Sequence, residues 1–143
     1  MIKNITYNNQ TLAIIIKKDF QKEGVEFFTP NEFSQQLAYM SHKKGKIIDA
    51  HVHNSVKRDV YFTKEVLVIK KGKLRVDFYY DNKNYIKSSI IEAGDVILLA
   101  YGGHGFEVIE DCEMIEIKQG PFLGEEDKIR FESIEISKVI IDE

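Results

Sequence analysis

Cysteine is nearly missing from this chain: Cys112 is the only one in 143 residues. No internal disulfide can form, which fits a reducing, cytoplasmic setting. Proline is almost as scarce, with only Pro30 and Pro121, and no low-complexity stretch, linker or repeat breaks the sequence. Long apolar runs are lacking too. The longest, VILLAY at 96–101, is far shorter than a membrane span, and the polar opening MIKNITYNN does not read as a signal peptide. An excess of positive charge is also absent. Twenty Lys and Arg against 23 Asp and Glu leave a net charge of -3, so no nucleic-acid partner is expected. These absences lead to the expectation of a soluble, cytoplasmic chain with no membrane partner. Its length suits one domain spanning 1–143 around one core.

What is present is a succession of short, mostly alternating apolar segments rich in Val, Ile, Tyr and Phe. TLAIIIKK, SQQLAYMSH, KIIDAHVH, KEVLVIKKG, KLRVDFYY, YIKSSIIEAG, DVILLAYGG, GFEVIEDC and EMIEIKQG each predict a strand. Turn signals fall between them at 70–73 (KKGK), 80–84 (YDNKN) and 92–95 (EAGD), where Gly, Asn and Asp tolerate tight reversal. Gly72 is expected to close a hairpin and Gly94 to mark the next reversal. Helix signals are confined to TPNEF, where Thr29 as N-cap, Pro30 and Glu32 predict one or two turns. The expected fold class is all-β, a sandwich or barrel with little helix.

Histidine is rare, yet two of the four stand one residue apart, His51 and His53. In a strand such residues share a face, with Cα atoms roughly 6.6 Å apart, so both imidazoles can converge on one ion. A third, His104, follows two glycines in AYGGHGFEV, and Glu65 opens the segment EVLVIKKG. Asp49 has the parity of the histidine pair and is a candidate for the same interior face. Lys57 and Arg58 are candidates for a positive rim, Tyr61, Tyr101 and Phe106 for pocket walls, and Gln119 for an inward-reaching polar group. Asp49, Tyr101 and Glu107 are candidate acids or bases. Cys112 reads as a small buried hydrophobe.

The order and spacing of these residues resemble the two motifs of the cupin superfamily. Gly45, five residues, His51-Val52-His53, a gap, Glu65, six residues and Gly72 resemble the first motif, over 45–72. Gly94, five residues, Ala100 and Tyr101-Gly102-Gly103-His104 resemble the second, over 94–104. The chain departs from the pattern in three places. The gap between His53 and Glu65 is far longer than usual, Ala100 replaces a proline, and the turn before His104 is one residue short. The long gap leaves Asp59 as an alternative carboxylate.

The resemblance implies a double-stranded β-helix, the jelly-roll or cupin barrel. It also implies one divalent ion (Zn, Fe, Mn, Ni or Co) held by His51, His53, Glu65 and His104. Four protein donors leave an octahedral ion with open positions, so the implied partner is a small polar molecule such as a sugar or a carboxylate. Metal-dependent isomerases, epimerases and dioxygenases share this pattern, as do non-catalytic binding modules with a regulatory or structural role. Small cupins also tend to form homodimers, and the tail EIKQGPFLGEEDKIRF is similar to those of small cupins of bacterial sugar and polysaccharide biosynthesis.

Overall fold

The computed structural model describes residues 1–142. Strand accounts for 46% of the chain, about twice the usual share, and among the described residues helix is limited to two short 3-10 turns at Gly124–Asp127 and Ile136–Lys138. No helix among the described residues is long and apolar enough to cross a membrane. Two compact units are present, one formed by 1–20 with 62–143, the other by 21–61.

The larger unit is a curled antiparallel half-barrel. Strands β1 (Ile2–Tyr7) and β2 (Gln10–Ile16) form a hairpin closed by Asn8 and Asn9, both with positive φ, the backbone that a two-residue hairpin turn requires. Then come β5 (Glu65–Tyr79), β6 (Tyr85–Glu92), β7 (Val96–Leu99) and β8 (Gly103–Lys118). The long β5 is central. Its first half pairs with β7, its second half with β6, and β8 pairs along nearly its whole length on the other side. On the far side of β7, β2 continues the sheet through Ala13↔Leu99 to Ile16↔Val96.

Two expected reversals are corners instead. KKGK does not close a hairpin, because β5 runs through it, and EAGD turns β6 into β7 alongside the same partner strand. GFEVIEDC and EMIEIKQG likewise form one strand, β8. All three ribbons bend on one line. Ala93 N donates to Gly72 O at 3.1 Å, Gly94 N to Ile69 O at 2.8 Å, and Ile69 N to Asp95 O at 3.0 Å. The β5–β8 register shifts three times between Ile69 and Leu74, as a bulged strand does at a bend. Gly72 has φ +77°, and a Cβ there would stand 2.0 Å from Asp111 O. Asp95, fully buried, pins the corner by accepting from Lys18 N (2.8 Å), Glu92 N (2.9 Å) and Lys17 Nζ (2.5 Å).

The bulge also switches which positions face the core. Leu67 and Ile69 point inward before the corner, and Leu74, Val76 and Phe78 after it. They meet Ile5, Leu12, Ala13, Ile15, Ile91, Ile97 and Leu99 in one apolar cluster. On the opposite face Arg75 and Asp77 form a buried two-bond pair (2.7 and 3.0 Å), Ser88 Oγ donates to Asp77 at 2.5 Å, and Glu107 pairs with Arg75. The C-terminal segment covers this network. Ser88 N donates to Ile140 O, Asp142 N donates to Ser88 O (both 2.7 Å), and Phe131 packs edge-on against Tyr79.

The smaller unit contains only the hairpin of β3 (Gly24–Phe27) and β4 (Ala38–Ser41). The helical turns predicted at TPNEF are absent. Thr29 Oγ1 donates to Gln36 Oε1 (2.6 Å) and accepts from Leu37 N (3.2 Å), so it caps no helix; a single turn, Phe33 N to Pro30 O, remains. The strand predicted at KIIDAHVH is also absent, and 47–62 has no ladder partner. Periodicity cannot supply one: a strand exists only where a neighbour satisfies its backbone.

Two substitutions test this architecture. Gly72→Ala carries about 1–2 kcal/mol from the left-handed backbone alone, plus the clash with Asp111; calorimetry should show a large fall in Tm or failure to fold. Asp77→Ala takes the two-bond partner from buried Arg75 and leaves it Glu107, and should cost about 1–3 kcal/mol. In denaturant titration, an unchanged midpoint would show that the pair contributes nothing.

Candidate functional site

In the larger unit Glu65 and His104 are distant along the ladder. Glu65 opens β5, and His104 pairs with Phe78, thirteen residues further on. A straight strand would separate them by about 43 Å. The corner folds the two halves of β5 toward each other, and His104 Nε2 lies 3.1 Å from Glu65 Oε2. Both face the concave side: Glu65 shares the parity of Leu67 and Ile69, and His104 stands opposite core-facing Phe78. Glu65 is mostly shielded, its side chain 13% exposed, and His104 is more open at 29%.

Three neighbours shape the pair. Lys118, the cross-strand partner of Glu65, lies 3.8 Å from its second oxygen. Gln119 Oε1 accepts from Lys64 N at 2.7 Å and so fixes the backbone just before Glu65. Gln119 was expected to reach inward; this bond makes it a positioning group for the start of β5. Phe106 stacks at 5.3 Å from the His104 ring and remains 44% exposed, so it flanks the pair on the concave face without being packed in the core.

The hydrogen bond from His104 holds the Glu65 carboxyl below its ordinary value of 4.5, against the opposing effect of burial and with help from the charges of His104, Lys118 and Lys128. A depressed carboxyl pKa adds stability that is present above the ordinary value and is lost as pH falls through the lowered one.

Other candidates in this unit fall elsewhere. Tyr101 donates its hydroxyl to Asp81 Oδ2 at 2.9 Å, which raises its pKa, and packs between Phe62 and Tyr80. Glu107 occupies the opposite face of β8 from His104, paired with Arg75, so it is no acid or base for the concave side. Cys112 is half-buried against the apolar cluster, near what was expected.

In the smaller unit His51 and His53 form the second pair. Their rings are 5.2 Å apart and nearly perpendicular, and His51 Nδ1 lies 3.0 Å from Asp49 O. The segment is irregular and exposed, so strand alternation does not align Asp49 with the histidines; its backbone carbonyl, instead of its carboxylate, orients His51. Lys57, Arg58, Asp59 and Tyr61 are exposed in the same segment, and Lys57 lies 3.8 Å from Asp59. His42 stands apart, in a shallow polar depression with Gln21, Glu23, Tyr39 and Lys43.

The imidazole and carboxylate donors have the right chemistry for a borderline divalent ion. They come as two pairs: among the described residues, no three His, Cys, Asp or Glu side chains are gathered closely enough to hold one. Of the two alternative carboxylates, Glu65 is the one in contact with a histidine. Searches of family models, curated proteins and solved structures return no match to this chain.

Removing the His104 ring takes away the main stabiliser of the Glu65 carboxylate and leaves its burial. Side-chain carboxyl NMR should show the Glu65 pKa below 4.5 in the native protein and clearly higher in His104→Ala. Equal values in the two proteins would refute the hydrogen bond as the cause.

Proposed function

We propose that this chain is a metal-binding protein of the cupin kind that acts as an enzyme on a small polar metabolite, such as a sugar or a carboxylate, of the sort used in polysaccharide biosynthesis. The observation that supports this is the contact of Glu65 with His104 on the concave face, since these are two of the four positions picked out by the motif resemblance. His51 and His53 are the proposed remaining donors for one Zn, Fe, Mn, Ni or Co ion. When bound, such an ion would polarise a substrate oxygen or activate a water. The roles that follow are those of the chain's own residues. Glu65 holds the His104 ring in place, Gln119 fixes the strand that carries Glu65, and Lys118 lies between Glu65 and Glu116 and partly offsets their charge.

A second reading is favoured by the same contact. A carboxylate bonded to one imidazole nitrogen orients the ring and leaves the other nitrogen to move a proton. His104 and Glu65 then form an acid–base pair that needs no metal. The third reading is a binding module without catalysis, in which the pair only recognises a ligand.

Elemental analysis of protein purified without added metal distinguishes them. The metal reading expects about one ion per chain, lost when His51 and His53 are both changed to Ala and weakened less by Glu65→Ala, since a water can replace one donor. Affinity should fall as pH drops through roughly 6.5, where free imidazole protonates. Loading with Co(II) and titrating small carboxylates, sugar acids and phosphates should perturb the visible spectrum. Full metal in the double-histidine variant sinks the assignment, and a spectrum that no ligand perturbs points to a closed site.

A further inference from the structure

His104 stands between two glycines, Gly103 and Gly105. Side chains alternate along β8, so His104 faces the concave side while both glycines face the convex side, opposite Tyr79 and Asp77. Such a stretch is loose by itself. Two residues without Cβ leave the backbone free, and among the described residues β8 has a ladder with β5 alone. The convex face supplies what the glycines lack. The Tyr79 side chain lies along both of them: a Cβ on Gly103 would stand 3.3 Å from Tyr79 Cβ, and one on Gly105 would stand 3.8 Å from Tyr79 Cε2. The C-terminal segment completes the cover. The same Gly103 Cβ would stand 3.0 Å from Phe131 Cζ, and the Gly105 Cβ 4.0 Å from Ser133 Oγ. The bare backbone on either side of His104 is therefore backed by rings.

The C-terminal segment hangs on two tyrosine hydroxyls. Ile134 N donates to Tyr79 at 2.8 Å and Ile140 N to Tyr85 at 2.9 Å, while Phe131 packs edge-on against Tyr79 with ring centres 4.9 Å apart. Asp142 secures its end through Ser88 and Lys87. None of residues 128–142 is buried. A segment held by hydrogen bonds with little buried apolar area belongs to the low-stability end of a fold, and it can open while the sheet stays closed.

We infer that this segment, through Phe131 and Tyr79, is the support that positions His104. Docked, it holds the Gly-His-Gly stretch where His104 Nε2 meets Glu65; released, it lets the ring leave the carboxylate. The pair on the concave face is thereby coupled to a contact on the convex face. A ring that ligates, recognises or moves a proton has to be held to within about 0.5 Å by its surroundings, and a strand with glycine on both sides of that ring does not do so unaided. Tyr79 and Phe131 are positioning residues: they touch the backbone that carries His104 and not the pair itself. The inference rests on the contact between Glu65 and His104, which every reading above uses, and needs neither a metal nor a substrate.

The NMR signals of the His104 ring in metal-free protein test this, recorded at about pH 9, where free imidazole is neutral. Glu65→Gln should shift them in the otherwise native chain and leave those of His42 in place. That shift should be lost in Phe131→Ala and in Gly103→Ala, which break one contact from opposite sides. It should return in Phe131→Tyr, which restores the ring. Amide exchange at Ile134 and Ile140 reports whether the segment has opened, and circular dichroism whether the sheet persists. Should either variant fail to fold, Ile134→Pro removes the donor to Tyr79 and is read in the same way. An opened segment with an undiminished Glu65→Gln shift overturns the support, and so does a segment that stays protected in every folded variant. No shift in the native chain overturns the contact itself. The expected pattern in a protein that binds no metal upholds the support and sinks the metal reading instead.

Discussion

The bend shared by three ribbons is the constraint on which the rest of this structure depends. β5, β8 and the β6–β7 pair turn on one line, and the turn is possible because Gly72 brings its backbone against Asp111 where no side chain fits. Asp95 holds the line from the inside with three accepted bonds. Without the bend the sheet is an open ribbon with no concave face. With it, the two ends of β5 face each other, the core closes between them, and a glutamate and a histidine that a straight strand would hold far apart come into contact.

The bend also divides the molecule's chemistry between two faces. The concave side carries the apolar cluster and, at its open edge, Glu65, His104, Phe106 and Lys118. The convex side carries Arg75, Asp77 and Ser88, a buried polar network beneath the C-terminal segment. Alternation along β8 sorts its residues between them: His104 goes to the concave face, while Glu107, three positions on, is consumed by Arg75 on the other. The core draws on β1, β2 and β5 to β7, leaving β8 as a long edge strand paired on one side, whose many acidic side chains and bulges suit an exposed edge.

How much of this was legible beforehand varies by element. The β-branched and aromatic segments at 11–18, 64–80 and 85–99 announced strands, and YDNKN was rightly a reversal, with Tyr80 N bonded to Asn84 O at 2.9 Å. β1 went unseen because an edge strand with only Ile5 buried shows little apolar alternation. KIIDAHVH shows full alternation and yet forms no strand within the chain. Gly72 and Gly94 were read as reversals because a positive φ serves a tight turn and a corner equally well; only the partner strand distinguishes them.

The sequence by itself determined the all-β class, the scarcity of helix and the lack of an internal disulfide. Each of these follows from residue type and local spacing, which act over a few positions. It took the tertiary structure to decide that Glu65, and not Asp59, meets a histidine, that Gln119 anchors the strand before it, and that Glu107 belongs to Arg75. Those outcomes depend on a bulge that switches parity at Ile69–Leu74 and on a corner that joins residues thirty-nine positions apart in the chain. Such contacts are set by how whole ribbons pair and bend, and no local pattern contains them.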